Sequence, residues 1–297
     1  MKRPLKWIGI SLGGLIALGL VAATAFALIG RSRINSRYVV TTTLAPDAMR
    51  AASLEVGERI VHTRGCQECH AQGLRGNVFL DIPPGFIVAP NLTKGKGGVG
   101  RRYKDLDDWH RAFAFGIRPD STVLTPFMPY DFYHRLNDVD AASLAVYLAN
   151  LPPIDNDVPQ LKLRPLGYVI MGLPNMNPRA KIAELSKPRA VQTAGRTAEY
   201  GRYVASTTCV ACHGEDLLGG SHANPEGAPG PELSHVGQWS VDDFITALRT
   251  GVAPGGRQIG TWMPWKEMGM LTDDELVAIH EYLKTLKSTG NRTSNGQ

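Results

Sequence analysis

The sequence has little cysteine, only four residues in a chain of 297, and it has no low-complexity tract. Charged residues make up just 20% of it, while hydrophobic residues make up 43%. This composition is typical of a globular protein and argues against disorder except at the ends. At this length the chain has room for two domains of ordinary size.

Net positive charge is concentrated in two segments. Residues 1–44 carry a formal charge of +6 and residues 156–195 carry +4, whereas residues 45–155 carry −1 and residues 196–286 carry −6. The basic pI of about 9.0 therefore comes mainly from the N-terminus and a linker. Because neither large globular segment is basic, the charge pattern gives little support for nucleic-acid binding.

All the cysteines lie in two copies of one five-residue motif, CQECH at residues 66–70 and CVACH at residues 209–213. The C-x-x-C-H pattern is the attachment signature of c-type haem. Two thiols on one turn bond to the two vinyl groups of a porphyrin, and the histidine is the usual proximal ligand of the iron. The predicted haem-binding residues are Cys66, Cys69 and His70 in the first copy and Cys209, Cys212 and His213 in the second. The sequence thus predicts two covalently bound haem c groups.

Two other functions use a C-x-x-C pair: a thioredoxin-like redox disulfide and half of a zinc site. Neither requires a histidine directly after the second cysteine. A zinc site shared by the two motifs would also have to close a very long loop. Both copies of the motif therefore favour haem attachment.

A long uncharged run, residues 7–30, follows the basic N-terminus. As a helix it would cover the ~30 Å hydrocarbon core of a bilayer, and it exceeds the ~7–15-residue apolar core of a signal peptide. Residues 25–27, Ala-Phe-Ala, have the small-x-small pattern of a cleavage site, so a cleaved signal peptide is the alternative. We expect a retained transmembrane anchor at residues 7–30, preceded by a cytoplasmic segment at residues 1–6 and followed by a tether at residues 31–50.

The two motifs belong to a longer internal repeat. At a constant offset of 135, residues 107–151 align without a gap on residues 242–286, while the first copy has eight extra residues between the motif and this span. The repeat indicates a domain duplication. The predicted organisation is a first domain at residues 51–151, a proline-rich and extended linker at residues 152–195, a second domain at residues 196–287 and a flexible tail at residues 288–297.

Each copy has the pattern of three helices. The first is expected around residues 52–62, with a counterpart leading into the second motif. The middle helix is expected at about residues 106–115 and 241–250, each ended by a glycine that suits a left-handed C-terminal position. The closing helix is capped by Asn137 in the first copy and by a Thr272 capping box in the second.

Met128 and Met263 are the predicted sixth ligands of the irons. They are the only two of the eight methionines that align in the repeat, and each is followed by a proline that fixes the local backbone. A thioether suits low-spin haem and raises its reduction potential. Core packing is the alternative role for a lone methionine. The neighbouring Met268 and Met270 have no methionine counterpart in the first copy.

These motifs resemble those of proteins with the class I cytochrome c fold, which is all-α. The resemblance implies two tandem domains of this fold after one N-terminal transmembrane helix. More narrowly, the chain resembles membrane-associated dihaem cytochromes c such as the cytochrome subunits of bacterial alcohol and gluconate dehydrogenases. Beside the haem motifs, the resemblance depends on residues 89–93 (APNLT), residues 230–233 (GPEL), the Met-Pro-aromatic triplets and the terminal Tyr-Leu-x-x-Leu.

The resemblance implies roles for further residues. The carbonyls of Pro90 and Pro231 would accept the second ring N–H of the proximal histidines and so orient the imidazoles. Leu92 and Leu233 would pack on the haem faces. In each domain a glycine would let the first helix cross the last one closely: Gly57 near Tyr147 and Gly201 near Tyr282.

The resemblance to c-type cytochromes also implies that haem is attached outside the bacterial cytoplasmic membrane. The N-terminus would then be inside and the haem domains in the periplasm. If both irons have histidine and methionine ligands, no position is open for a substrate, so the protein would exchange electrons only and would not be an enzyme. We predict a membrane-tethered dihaem cytochrome that relays electrons between a donor and an acceptor, such as a dehydrogenase, another cytochrome or an oxidase.

Two other functions stay open at this point. The chain could be a fixed electron-transfer subunit of a larger periplasmic dehydrogenase or terminal oxidase. Less expected is a dihaem peroxidase-type enzyme, which would need one iron without a strong distal ligand. The acidic charge of residues 196–286 suggests docking with a basic face of a soluble partner.

Overall fold

The computed structural model describes residues 2–187, 192–220 and 229–287, with side chains described from residue 7 onward. The helices before the second motif are α1 (Lys2–Asn35), α2 (Pro46–Ala51), α3 (Leu54–Thr63), α4 (Cys66–His70), α5 (Leu106–Phe115), α6 (Tyr130–Tyr133), α7 (Asp138–Ala149), α8 (Pro165–Gly172) and α9 (Pro178–Leu185). Those that follow are α10 (Ala198–Ser206), α11 (Val210–His213), α12 (Val241–Thr250), α13 (Trp265–Met268) and α14 (Asp273–Leu283). The predicted tail at residues 288–297 lies outside the described residues.

The fold is mostly helical, but the all-α prediction is wrong in one respect. Two small antiparallel sheets are present: β1 (Asn77–Ile82), β2 (Gly85–Ala89) and β3 (Lys162–Leu163) in that order, and a pair of β4 (Val252–Ala253) and β5 (Arg257–Gln258). The β1–β2 hairpin lies in the loop where the first copy has its extra residues. Ile87 and Val88 of β2 are buried, so the insertion adds apolar packing as well as length.

The chain divides into two compact units, each built from separate stretches. The first contains Met1–Thr43, Cys69–His134 and Leu148–Pro188. The second contains Leu44–Glu68, Arg135–Tyr147 and Arg189–Gln297. The predicted domain bounds remain a prediction.

In the first unit, α1 is the one helix among the described residues that is long and apolar enough to cross a membrane. Its segment Trp7–Asn35 has a mean hydropathy of 2.3 in its most apolar window, and no residue of that window is buried. A signal sequence near an N-terminus meets the same criterion. The helix extends beyond the predicted anchor, to Asn35, because no glycine, proline or capping residue interrupts it after Gly30.

The proline-rich linker was predicted to be extended, and this is wrong for much of it. Residues 162–185 contain β3, α8 and α9. Pro165 and Pro178 each occupy the first position of a helix, where a missing N–H costs nothing and the fixed φ favours helix initiation. The stretch before β3 is held by Asn91, whose buried amide donates to the Ile154 carbonyl at 2.8 Å.

The second unit contains two helix crossings that use glycine in equivalent ways. A Cβ atom on Gly57 of α3 would overlap the carbonyl of Ser143 in α7, and one on Gly201 of α10 would overlap the carbonyl of Ala278 in α14. Close crossing at both glycines is therefore confirmed. The contacted carbonyls lie one turn before Tyr147 and Tyr282, the positions expected from the resemblance.

The middle helices agree with the sequence to the residue. α5 and α12 have the predicted bounds, and Gly116 and Gly251 follow them with φ of 68° and 75°. An aromatic ring fills the space beside each glycine, Tyr130 in the first copy and Trp265 in the second. The predicted capping box at Thr272 is also present, with Glu275 as its second member.

Candidate haem-binding sites

Each C-x-x-C-H motif forms a single helical turn. In the first copy this turn is α4, and in the second it is α11, with Cys209 as the residue before the helix. Gly65, with φ of 70°, makes the sharp turn from α3 into the first motif. All four cysteines are free thiols, and Cys66 is buried while the others are half-buried. Burial raises the pKa of the Cys209 thiol above its usual value, so the sulfur is held as a protonated thiol.

The two motif histidines are buried and oriented in the same way. His70 donates its Nδ1–H to the Pro90 carbonyl at 2.8 Å, and His213 donates to the Pro231 carbonyl at 2.7 Å. Burial lowers the pKa of both imidazoles, and the proline carbonyls offset this only in part. The neutral form with Nδ1 protonated leaves Nε2 as the metal-ligating nitrogen.

The backbone after each motif also repeats. Leu74 and Leu217 adopt left-handed φ values of 56° and 59°, which are rare for leucine, and both side chains are almost fully buried. Their carbonyls accept hydrogen bonds from the N–H groups of Leu92 at 2.8 Å and Leu233 at 2.9 Å. These two contacts fix the segments that carry the proline carbonyls beside the histidines.

Leu74 and Leu217 were missed by the sequence analysis. Each lies four residues after its motif histidine, a shared spacing that could have revealed them. The predicted haem-face residues Leu92 and Leu233 are half-buried. Their role against the haem stays a prediction.

The two aligned methionines occupy matching turns. The Met128 N–H donates to the Thr125 carbonyl and the Met263 N–H to the Gly260 carbonyl, both at 3.1 Å. The prolines that follow have nearly the same conformation, with φ, ψ of −80°, 62° and −77°, 60°. Both methionine side chains are half-buried. By contrast, Met268 is buried in the core of the second unit and Met270 is exposed.

Met128 also borders a cavity of the first unit, together with residues of α6 and of the segment around α8 and α9. The cavity wall includes Leu124, Tyr130, Asp131, Met171, Met176 and Lys181. A soft thioether at a cavity wall is compatible with metal ligation, but it is also compatible with packing.

The donor set in each copy fits covalent haem c. Two thiols on one turn, a neutral imidazole held by a backbone carbonyl, and a methionine fixed by a following proline are the groups that attach and ligate this cofactor. Among the described residues, no group of three or more His, Cys, Asp or Glu side chains could hold a metal ion.

Comparison with known proteins agrees with these observations. Residues 198–287 match the cytochrome c family model. The chain is 27% identical over 300 residues to the fructose dehydrogenase cytochrome subunit of Gluconobacter japonicus, which covers 91% of this chain and 59% of that protein. It is 28% identical over 280 residues to the gluconate 2-dehydrogenase cytochrome c subunit of Pantoea cypripedii, with 82% of this chain and 62% of that protein covered.

A third relative is similar in length. A dihaem c-type cytochrome of Cereibacter sphaeroides is 27% identical over 299 residues, covering 91% of this chain and 95% of that protein. The chain spans about three fifths of the length of the dehydrogenase subunits. Residues 198–287 are therefore a cytochrome c domain, and the relatives that match nearly the whole chain are cytochromes or cytochrome subunits.

Proposed function

We propose that this protein is a membrane-tethered dihaem cytochrome c that relays electrons between redox partners, and that it is not itself an enzyme. The observation that carries the proposal is the repeated placement of His70 and His213. Each is buried directly after a pair of thiols and donates Nδ1–H to a proline carbonyl. An imidazole held in this way presents Nε2 in one fixed direction, as a proximal ligand must.

The sixth ligands proposed are Met128 and Met263. Their matching turns, which the following prolines fix, support the proposal, as does the different packing of Met268 and Met270. A methionine ligand raises the reduction potential of haem relative to a second histidine. Filling both axial positions in each copy would also exclude substrates from the irons, which is what separates a carrier from a peroxidase.

Haem c, when bound, supplies reversible one-electron transfer. The chain's own residues keep the proposed ligands in the right protonation state and in a fixed position. Burial keeps His70 and His213 neutral, and therefore able to ligate, across the physiological pH range. The left-handed turns at Leu74 and Leu217 hold the proline carbonyls in place. A fixed ligand set in both redox states keeps the reorganisation that accompanies each electron small.

A second candidate is that the chain serves as the electron-transfer subunit of a dehydrogenase complex. The names of the relatives from Gluconobacter japonicus and Pantoea cypripedii favour it. The dihaem relative of matching length favours a free-standing cytochrome. Purification of the native protein under mild conditions would separate the two, because a stoichiometric catalytic subunit is expected only for the complex.

The proposed location follows from α1. Its long exposed apolar segment suits a single span. Haem c is attached outside the cytoplasmic membrane in proteins of this kind, so we place the N-terminus inside and both haem-binding regions in the periplasm. The acidic net charge of residues 196–286 would favour a basic face on a soluble partner, and raising the salt concentration should then slow electron transfer.

The experiment that tests the proposal is a redox titration with optical spectra on Met128→His and Met263→His variants beside the parent. Each variant should lower the potential of one haem and remove the Met–Fe absorption band of that haem alone. Met270→Leu, at an exposed methionine close to Met263, is the matched control and should change neither. A high-spin iron in the parent, or an unchanged potential in either histidine variant, would contradict the proposed ligands.

A further inference from the structure

The end of α8 packs against the last turns of α1 in the first unit. A Cβ atom on Gly30 would overlap the Tyr168 carbonyl, and one on Gly172 would overlap the Phe26 carbonyl. Such backbone approach at small residues is typical of helices that pack in membranes. Residue 172 faces residue 26 while residue 168 faces residue 30, so the helices are antiparallel. The C-terminal end of α8 therefore points back along α1 towards its apolar segment.

The part of α1 that is exposed at every residue is shorter than a bilayer is thick. Every residue from Trp7 to Ala22 is exposed, whereas beyond it half-buried residues such as Ala23 and Phe26 alternate with exposed ones such as Leu28. Sixteen residues of α-helix measure about 24 Å, whereas the hydrocarbon core is ~30 Å thick. About 6 Å, or roughly one turn, must come from residues 23–26. Phe26, at the end of that turn, is the residue that Gly172 contacts.

We propose that the C-terminal end of α8, with Ile170, Leu173 and Pro174, enters the outer leaflet of the lipid bilayer beside α1. The inference depends on the proposed role of α1 as a membrane anchor and adds a second element that contacts lipid. The partner of this surface is the bilayer itself. α8 has no charged residue, and the side chains of Ile170, Leu173 and Pro174 are half-buried or exposed.

Hydrogen bonding at the end of α8 suits an apolar environment. A helix that ends in lipid must satisfy its last carbonyl groups within the protein, because no water is available there. Arg33 of α1 donates to the Met171 carbonyl at 2.9 Å and to the Leu173 carbonyl at 2.7 Å. The guanidinium thus reaches down from the water side of α1 and caps the end of the neighbouring helix.

The charge around α8 agrees with an anionic lipid surface. Residues 158–183 contain four basic residues and no acidic residue. Arg164 pairs with Asp81 and Lys181 with Asp131 and Glu184, which leaves Lys162 and Arg179 as the exposed basic residues of this range without an ion pair in the described part of the chain. Basic side chains beside an apolar insertion favour contact with anionic headgroups.

The test uses single nitroxide labels on the full-length dihaem protein in nanodiscs of phosphatidylglycerol and phosphatidylethanolamine. Labels are placed by Leu173→Cys and Ile170→Cys on α8. The controls are Leu15→Cys within α1 and Val78→Cys on β1, both exposed positions. The haems are kept oxidised in every sample, so that oxygen does not change their redox state and no reductant attacks the label. The parent chain, with its native cysteines held by haem, gives the labelling background. Power-saturation EPR then compares accessibility to oxygen, which partitions into lipid, with accessibility to a water-soluble nickel chelate.

We expect the labels at residues 170 and 173 to favour oxygen several-fold over the label at Val78, and to approach the value at Leu15. Labels at 170 and 173 that are as accessible to nickel as Val78, while Leu15 favours oxygen, would overturn the inference and leave the anchor intact. Labels that neither reagent reaches would place these side chains against protein and would also overturn it. If Leu15 itself is open to nickel, the anchor fails, and the inference fails with it.

Discussion

The hydroxyl of Tyr203 in α10 donates a hydrogen bond to the half-buried carboxylate of Asp140 in α7, and the Tyr203 oxygen accepts the N–H of Asn137 at 3.0 Å. Asn137 is also the N-cap of α7, with its side chain accepting the Asp140 N–H at 2.8 Å. Tyr203, from the second repeat, thus forms hydrogen bonds with the N-terminal end of α7, which is the closing helix of the first repeat.

This pair makes stability depend on pH. Burial raises the pKa of Asp140 above its usual value of 3.8, although the Tyr203 hydrogen bond acts in the opposite direction. The folded state therefore binds a proton more readily than the unfolded state, and the stability contributed by this proton is lost as pH rises through the raised pKa. We expect Asp140→Asn to flatten the pH dependence of the unfolding free energy above about pH 4.

Denaturant unfolding of parent and variant at a series of pH values measures this effect. Asp242→Asn is the control, since Asp242 is exposed in the first turn of α12. Its curve should parallel that of the parent. If the unfolding free energy changes between pH 4 and 7 by the same amount in the parent and in Asp140→Asn, the raised pKa of Asp140 is ruled out.

Removal of the Tyr203 hydroxyl should destabilise the second unit. Tyr203→Phe leaves the Asp140 carboxylate and the Asn137 N–H without this partner in a buried environment. The expected loss is about 1–3 kcal/mol in the free energy of unfolding. Tyr200→Phe, on the same helix and more exposed, should cost much less. Equal losses in the two variants would show that the hydroxyl contributes nothing specific.

Glu275 belongs to the capping box of α14 and also lies beside the two arginines Arg59 and Arg64. Its carboxylate accepts the Thr272 N–H at 2.8 Å and lies 3.3 Å from Arg59 and 4.0 Å from Arg64. Glu275→Gln keeps the shape of the side chain but removes the negative charge between two arginines. Because Arg64 is almost fully buried, we expect a loss of about 3 kcal/mol.

A neighbouring pair is the control for Glu275. Asp274 forms an ion pair with Arg196 at 2.6 Å, but both side chains are more than half exposed. Asp274→Asn should therefore cost less than about 1 kcal/mol. Thermal or denaturant unfolding of the two variants compares a buried charge with an exposed one on adjacent residues. A Glu275→Gln variant no less stable than Asp274→Asn would contradict the role of Glu275.

The helix crossing at Gly201 should tolerate no side chain. Gly201→Ala places a methyl group against the Ala278 carbonyl, so α10 and α14 must move apart. Overpacking of this kind costs about 1–3 kcal/mol or more, and the variant should also lose haem content on expression. Gly260→Ala, where an added Cβ meets nothing within 4 Å, is the control. A fully stable Gly201→Ala protein would mean that the two helices are not constrained at this point.

Sequence patterns predicted the helices best where local chemistry decides the ends. α5 and α12 begin after Asp105 and Ser240, whose side chains cap the first turn, and end at a left-handed glycine. The motif histidines were predicted from the repeated C-x-x-C-H pattern. Their proline partners were implied by the resemblance to class I cytochromes c, because they lie 20 and 18 residues after the histidines, outside the motif. For the helix ends and the motif histidines, the signal lies within a few residues of the feature that it specifies.

Long-range packing was beyond the sequence patterns. The linker reads as proline-rich, yet Pro165 and Pro178 begin helices, because a proline at the first helical position is equally compatible with helix and with extended chain. The left-handed conformation of Leu74 and Leu217 was not predicted from residue type, because leucine has no preference for that conformation.

Local patterns were enough to predict the C-x-x-C-H motifs, the apolar N-terminal segment and the ends of the middle helices, because each depends on residues close together in the chain. The packing of α8 on α1, the hydrogen bond from Tyr203 to Asp140, and the position of Glu275 beside Arg59 and Arg64 are known from the folded structure alone. These contacts join residues far apart in sequence. Their free energy depends on burial and on mutual orientation, which exist only once the chain is folded.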